Sequence, residues 1–298
     1  DTAPTVAFNA GAQSIGEAAG SAMASVTLSA VSSLETIVPF TVGGTAVDPD
    51  DFSDQGLGSV TIPAGQLSTT IDLSIVDDTL FEGDETVVLT LGAPTNATLG
   101  ATTVHTATIT DNDTAPSVAF NAGAQSVGEA AGSAVASVTL SAVSSLETVI
   151  PYTVGGTAVD PDDFSDQGLG SVTIPAGQLS TTIDLSIVDD TLFENDESVV
   201  LTLGAPTNAT LGATTVHTAT ITDNDTAPTV AFNAGAQSVG EAVGSAAASV
   251  TLSAVSSLET VVPYTVGGTA VAPDDFSDLD LGSVTIPAGQ LSTTIDLS

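Results

Sequence analysis

Aspartate and glutamate are the residues in this chain with chemistry to offer, and they come in clusters. Asp48-Pro49-Asp50-Asp51-Phe52-Ser53-Asp54 is one, and Asp77-Asp78-Thr79-Leu80-Phe81-Glu82-Gly83-Asp84-Glu85 is a second. A third is Asp111-Asn112-Asp113, while Glu17 stands alone near the start. Carboxylates brought together without a base are unfavourable as bare anions. A hard cation that takes roughly six to eight oxygen ligands relieves this, calcium above all, since magnesium demands a tighter octahedron. Asp and Gly also favour exposed turns, so one Asp pair alone would imply nothing. Three clusters that a single domain can gather at one end argue for a metal.

The rest of the composition sharpens that need. There are 36 acidic residues and no Lys or Arg, a formal charge of −36. Side chains cannot pair as ions unless a histidine protonates, and a body of one sign repels itself. Nucleic acid and anionic membrane surfaces need a basic face, so neither is expected as a partner. No run of about 18 apolar residues exists, and no membrane insertion is expected. With no cysteine there are no disulfides and no thiolate ligands. The chain opens on Asp1 and reads as a segment of something longer.

Other chemistries find little support. His105 and His217 are the only histidines, and zinc would need more nitrogen or sulfur partners than they provide. The serines lack a base and an orienting acid for nucleophilic catalysis. Paired carboxylates suit glycoside hydrolysis, but there is no Trp and only two Tyr to hold a sugar. The chain is expected not to be an enzyme. Asp50, Asp54 and Gly56 miss the spacing of an EF-hand loop. Asn96-Ala97-Thr98 fits a glycosylation sequon but reads as accidental.

What must position the acids is a repeat. Asp1-Thr2-Ala3-Pro4 recurs at Asp113 and Asp225, a period of 112 residues. Residues 1–112 and 113–224 differ at only eight positions, and a third copy, 225–298, stops after 74 residues. That period suits one autonomous domain per copy, not a solenoid coil. The expected organisation is therefore two complete modules, 1–112 and 113–224, and a truncated third, 225–298. The third either continues in a longer parent or receives its missing strands from a neighbouring chain.

Within a module the pattern is all-β. Alternating runs rich in Ser, Thr, Val and Ile span Thr5–Phe8, Ala22–Leu28, Thr36–Val42, Ser59–Ile62, Thr69–Ile75, Thr86–Leu91 and Thr102–Thr110. In Thr69–Ile75 every second residue is apolar, so one face is buried and the other wet. Seven short strands with turn signals between them predict tandem immunoglobulin-like β-sandwich modules in an elongated array.

The stretch from Asp51-Phe52 through Ser59–Gly65 to Ile75–Glu85, closed by Ile109–Asp113, resembles the Calx-beta domain, and the likeness covers the whole repeat. That family comprises calcium-binding sandwiches, found in sodium/calcium exchangers, integrin β4 and very large bacterial surface and adhesion proteins. The resemblance implies calcium at the end of each sandwich. In the first module the side-chain ligands would be Glu17, Asp51, Asp78, Glu82, Asp111 and Asp113, with the backbone oxygen of Leu80. The second would use Glu129, Asp163, Asp190, Glu194, Asp223 and Asp225, with Leu192. Asp77, Asp189, Glu85 and Glu197 form a second tier. The third copy keeps Glu241 and Asp275 but has Ala272 in place of Asp48, and ends before the double-Asp loop.

Asp111 belongs to one module and Asp113 opens the next, so a cation between them ties the linker to the preceding loops, with Pro116 stiffening it. The expected function is a calcium-rigidified stalk or spacer of a large extracellular, secreted or cell-surface adhesin of bacterial type. The modules would form a rod of roughly 100 Å at about 30–35 Å each, from strands near ten residues. The partners are calcium and neighbouring modules of the same or identical chains. A self-assembling extracellular filament is the alternative. A regulatory calcium sensor fits less well, because near-identical sites are poorly suited to graded sensing.

Overall fold

A computed structural model describes residues 2–278 and 282–298. In the first repeat, small β-branched and polar residues form ten strands: β1 Thr5–Phe8, β2 Ala12–Gly16, β3 Ser21–Leu28, β4 Thr36–Gly44 and β5 Phe52–Ser53. These are followed by β6 Ser59–Ile62, β7 Ser68–Ile75, β8 Glu85–Leu91, β9 Thr98–Leu99 and β10 Val104–Thr110. One sheet runs β5-β7-β3-β1-β9 and the other β2-β10-β8-β4-β6. Most pairings are antiparallel, but β1 joins β9 and β2 joins β10 in parallel. The second repeat reproduces both five-stranded sheets.

Alternation explains why these residues make a sandwich. In β7 the buried side chains are Ile71, Leu73 and Ile75, and in β8 they are Val87, Leu89 and Leu91. Their inward faces meet across the two sheets with Val6, Val26 and Ile62 in one core. That core is aliphatic and thin, as the scarcity of aromatic residues implies. Leu73 is wholly buried, and Leu73→Ala should cost about 2–5 kcal/mol. In a denaturant titration of the full chain, this substitution is expected to move one repeat's unfolding to lower denaturant and leave its near-identical neighbour in place.

Two local features set the strands. Gly44 closes β4 at a φ of 120°, and a Cβ there would lie 2.0 Å from the Thr86 carbonyl oxygen. Only glycine lets β4 run that close to β8. In the second repeat Tyr152 replaces Phe40, and its hydroxyl donates to the Asp166 carboxylate at 3.3 Å.

Of the seven expected strands, Thr5–Phe8 and Ser59–Ile62 have the expected ends, and the others shift by one or two residues. The last begins at Val104 and not Thr102, because the Thr102 and Thr103 carbonyls turn to accept from Phe8 and Leu91. Three strands were not expected: β2, β5 and β9. The third repeat holds a three-stranded sheet, Val230–Phe232, Ala246–Leu252 and Ser292–Leu297, and a two-stranded one, Thr260–Pro263 with Ser283–Ile286.

Candidate metal centre

The acids are carried on three connections and one 3-10 turn at the same end of the sandwich. Glu17 begins that turn, Glu17–Ala19, directly after β2. Its side chain is 4% exposed, and Oε1 accepts from the backbone N–H of Asp78 at 2.9 Å. Asp78 in turn accepts from the Leu80 N–H at 2.6 Å, an Asx turn that folds the β7–β8 loop back on itself. Asp51 accepts from the Val47 N–H at 2.6 Å. Each of these three carboxylates thus receives a backbone N–H on one of its oxygens.

Two groups result in each complete repeat. One joins Glu17, Asp78 and Asp113, with an oxygen from each lying within 4.8 Å of the others. The second joins Asp51, Glu82 and Glu85 within the same distance. Glu129, Asp190 and Asp225, and then Asp163, Glu194 and Glu197, repeat both. Such spacing suits oxygens sharing one calcium, which coordinates at about 2.3–2.6 Å. Asp50, Asp51, Asp78, Leu80, Glu82 and Glu85 line one open cleft.

Asp111 lies outside both groups but near them. Its Oδ1 accepts from the Asp113 N–H at 3.2 Å, and it is among the charges bearing on Glu82. In the second repeat Asp223 accepts from the N–H groups of Asp225 at 3.0 Å and Glu194 at 3.2 Å. Asp77 accepts from the Asn112 side-chain amide at 2.9 Å, as Asp189 does from Asn224. Those bonds brace the junction and leave both residues outside the two groups. Glu85 and Glu197, second-tier by sequence, stand inside. In the third repeat Glu241 is exposed, and no such group forms among the described residues.

The electrostatics report unmet need. Burial, then Asp51, Asp78, Glu17 and Asp111, push Glu82 up from 4.5 to about 7. Burial and the adjacent Asp51, followed by Glu82 and Asp78, push Glu85 to about 8. Glu197 rises likewise to about 8, and Glu194 rises through burial and then Asp163. Asp113 is raised by desolvation and then by Asp111 and Asp78. Glu85 Oε2, Asp113 Oδ2, Glu129 Oε2, Glu197 Oε2 and Asp225 Oδ2 are buried without any hydrogen-bond partner. Buried polar oxygens are normally satisfied. Here they lie beside other carboxylates, and the chain has no Lys or Arg to answer them. The donor set fits a hard cation.

Paired five-stranded sheets with carboxylates converging at one end define a class of acidic-loop β-sandwich repeat. The Calx-beta domain model matches residues 1–114, 111–226 and 223–297, and the chain belongs to the Calx-beta family. Extracellular matrix protein 3 of Lytechinus variegatus is 32% identical over 55% of this chain. The extracellular matrix organizing protein FRAS1 of Mus musculus is 26% identical over 63%, and sodium/calcium exchanger 1 of Bos taurus 25% over 50%. The aligned segments span 6%, 5% and 17% of those proteins' lengths. The crystal structure of CBD12 from CALX1.2 aligns with 73% of this chain and 99% of its own, at 21% identity and a TM-score of 0.35.

Proposed function

We propose that this chain is a non-enzymatic calcium-binding structural repeat, acting as a calcium-stiffened spacer in a large extracellular or cell-surface adhesive protein. One observation carries the reading. Asp113 and Asp225, the acids that open the second and third repeats, cluster with Glu17 and Asp78 and with Glu129 and Asp190 of the repeats before them. Membership of the Calx-beta family and similarity to two extracellular matrix proteins support it.

In the first repeat Glu17, Asp51, Asp78, Glu82, Asp111 and Asp113 hold the metal, joined by Glu85 and the Leu80 carbonyl. In the second the set is Glu129, Asp163, Asp190, Glu194, Asp223 and Asp225, with Glu197 and Leu192. Bound calcium would supply the positive charge that the chain itself lacks. Its own residues do the rest: the Asx turn at Asp78 presents the loop, buried Glu17 anchors it, and Asp113 fixes the linker against it. A linker fastened at that point has less freedom to bend, so calcium stiffens the join between two repeats.

Calorimetric titration of the chelator-treated chain tests this. Binding with a stoichiometry above one per complete repeat is expected, in line with the four clusters. Asp113→Asn with Asp225→Asn should abolish part of it. No binding heat at any calcium concentration would overturn the reading.

A further inference from the structure

A second fastening joins the repeats and involves no carboxylate. We propose that the serine of the β3–β4 turn in each following repeat, Ser144 or Ser256, is a socket for the acidic loop of the repeat before it. This socket fixes the angle between neighbours whether or not a cation is present. The partner that fits it is another copy of the same module, presenting the carbonyl of Phe81 or Phe193. The inference takes its purpose from the spacer reading, but its geometry stands independently.

The contact is the same at both junctions. The Ser144 hydroxyl donates to the Phe81 carbonyl oxygen at 2.7 Å, and the Ser145 N–H donates to the same oxygen at 3.2 Å. Ser256 and Ser257 treat the Phe193 carbonyl alike, at 2.9 and 3.2 Å. Each carbonyl therefore sits in a two-donor fork, with an isolated parallel bridge between Phe81 and Ser144 and between Phe193 and Ser256.

In the first repeat the equivalent turn can be compared without that contact. Ser32 is the equivalent serine, and it receives the Leu34 N–H at 3.0 Å, as Ser144 receives that of Leu146. Its carbonyl also accepts from Gly65 at 2.8 Å, as that of Ser144 does from Gly177. The turn is thus already formed, and docking adds only the hydroxyl proton and the next N–H. Ser32 is half-buried, whereas Ser144 and Ser256 are each 1% exposed. Val31 is 61% exposed, but Val143 and Val255 fall to 39% and 38%. Leu34 is 57% exposed while Leu146 is half-buried.

Position gives the socket its mechanical meaning. Phe81 lies between Leu80 and Glu82 in the acidic loop, so the socket grips the loop that gathers the carboxylates. The covalent linker through Asp113 is one attachment between the repeats, and the fork at Ser144 is a second, separate one. Two separated points stop rotation, where one would leave a swivel.

The test measures the distance between nitroxide labels on the full chain. The chain has no cysteine, so Met23→Cys and Val135→Cys, equivalent positions 64% and 48% exposed, place one label on each repeat. In chelator, the parent is expected to give one narrow distance peak, and Ser144→Ala to broaden it at least twofold. Ser32→Ala, which loses the same turn bond but no bond between repeats, should leave the width unchanged. Equal widths for the parent and Ser144→Ala, or equal broadening by Ser32→Ala, would overturn the socket. Calcium titration of the same proteins is read separately: failure to bind would remove the metal reading and leave the distance result intact.

Discussion

Calcium added to the chelator-treated chain at matched ionic strength raises its melting temperature by on the order of 10 °C or more. A ligand that binds only the folded state at about 100 times its dissociation constant contributes about 2.7 kcal/mol. For a domain of this size each kcal/mol shifts the midpoint by roughly 4–8 °C. Sodium supplying the same ionic strength screens the repulsion but occupies no cluster, so its effect is expected to be small beside calcium's. Scanning calorimetry decides the matter. A midpoint indifferent to calcium would mean that the acids are merely solvated, and the sandwich would stand without its metal.

Glu85→Gln combined with Glu197→Gln should stabilise the metal-free chain at alkaline pH and weaken its response to calcium. Both carboxyls rise from 4.5 to about 8 in the folded state, first through burial and then through Asp51 or Asp163. The folded chain then keeps protons that the unfolded chain has released. By linkage their contribution is fully present below pH 4.5, shrinks as pH climbs, and is gone above about pH 8. The metal-free chain should therefore melt lower at pH 8.5 than at pH 5.5. Glutamine at both positions should flatten that slope, and calcium should flatten it in the parent. A metal-free chain that becomes more stable as pH rises through this window would contradict the assignment.

The sandwich was legible because its long strands bury one face. Ile71, Leu73 and Ile75 alternate with Thr70, Asp72 and Ser74, and the structure buries the first three. The strand β2 was not legible, because Ala12-Gln13-Ser14-Ile15-Gly16 offers a single large apolar residue. It is held at a sheet edge by its parallel partner β10, a pairing that local sequence does not signal. The acid clusters were readable as types and spacings. Their division into two groups was not, since it depends on which loops the sheets bring together. Glu85 shows the gap: it begins β8, and the strand's direction turns it towards Asp51 and Glu82. The serine socket left no mark in one repeat alone, because Ser32 and Ser144 stand in the same local sequence.

The parallel pairing of β2 with β10 sets Ile15 beside Ile109, and the Thr110 hydroxyl donates to the Ile15 carbonyl across 95 positions. During synthesis, then, β2 has no mate until nearly the whole repeat has left the ribosome. The strand it awaits, Val104–Thr110, has the same sequence as Val216–Thr222 in the next repeat. Side chains alone cannot tell the two apart, and pairing with the wrong one would thread one module through its neighbour. Order of emergence makes the choice: the nearer copy is available first, and a repeat that closes promptly is no longer open when its twin arrives.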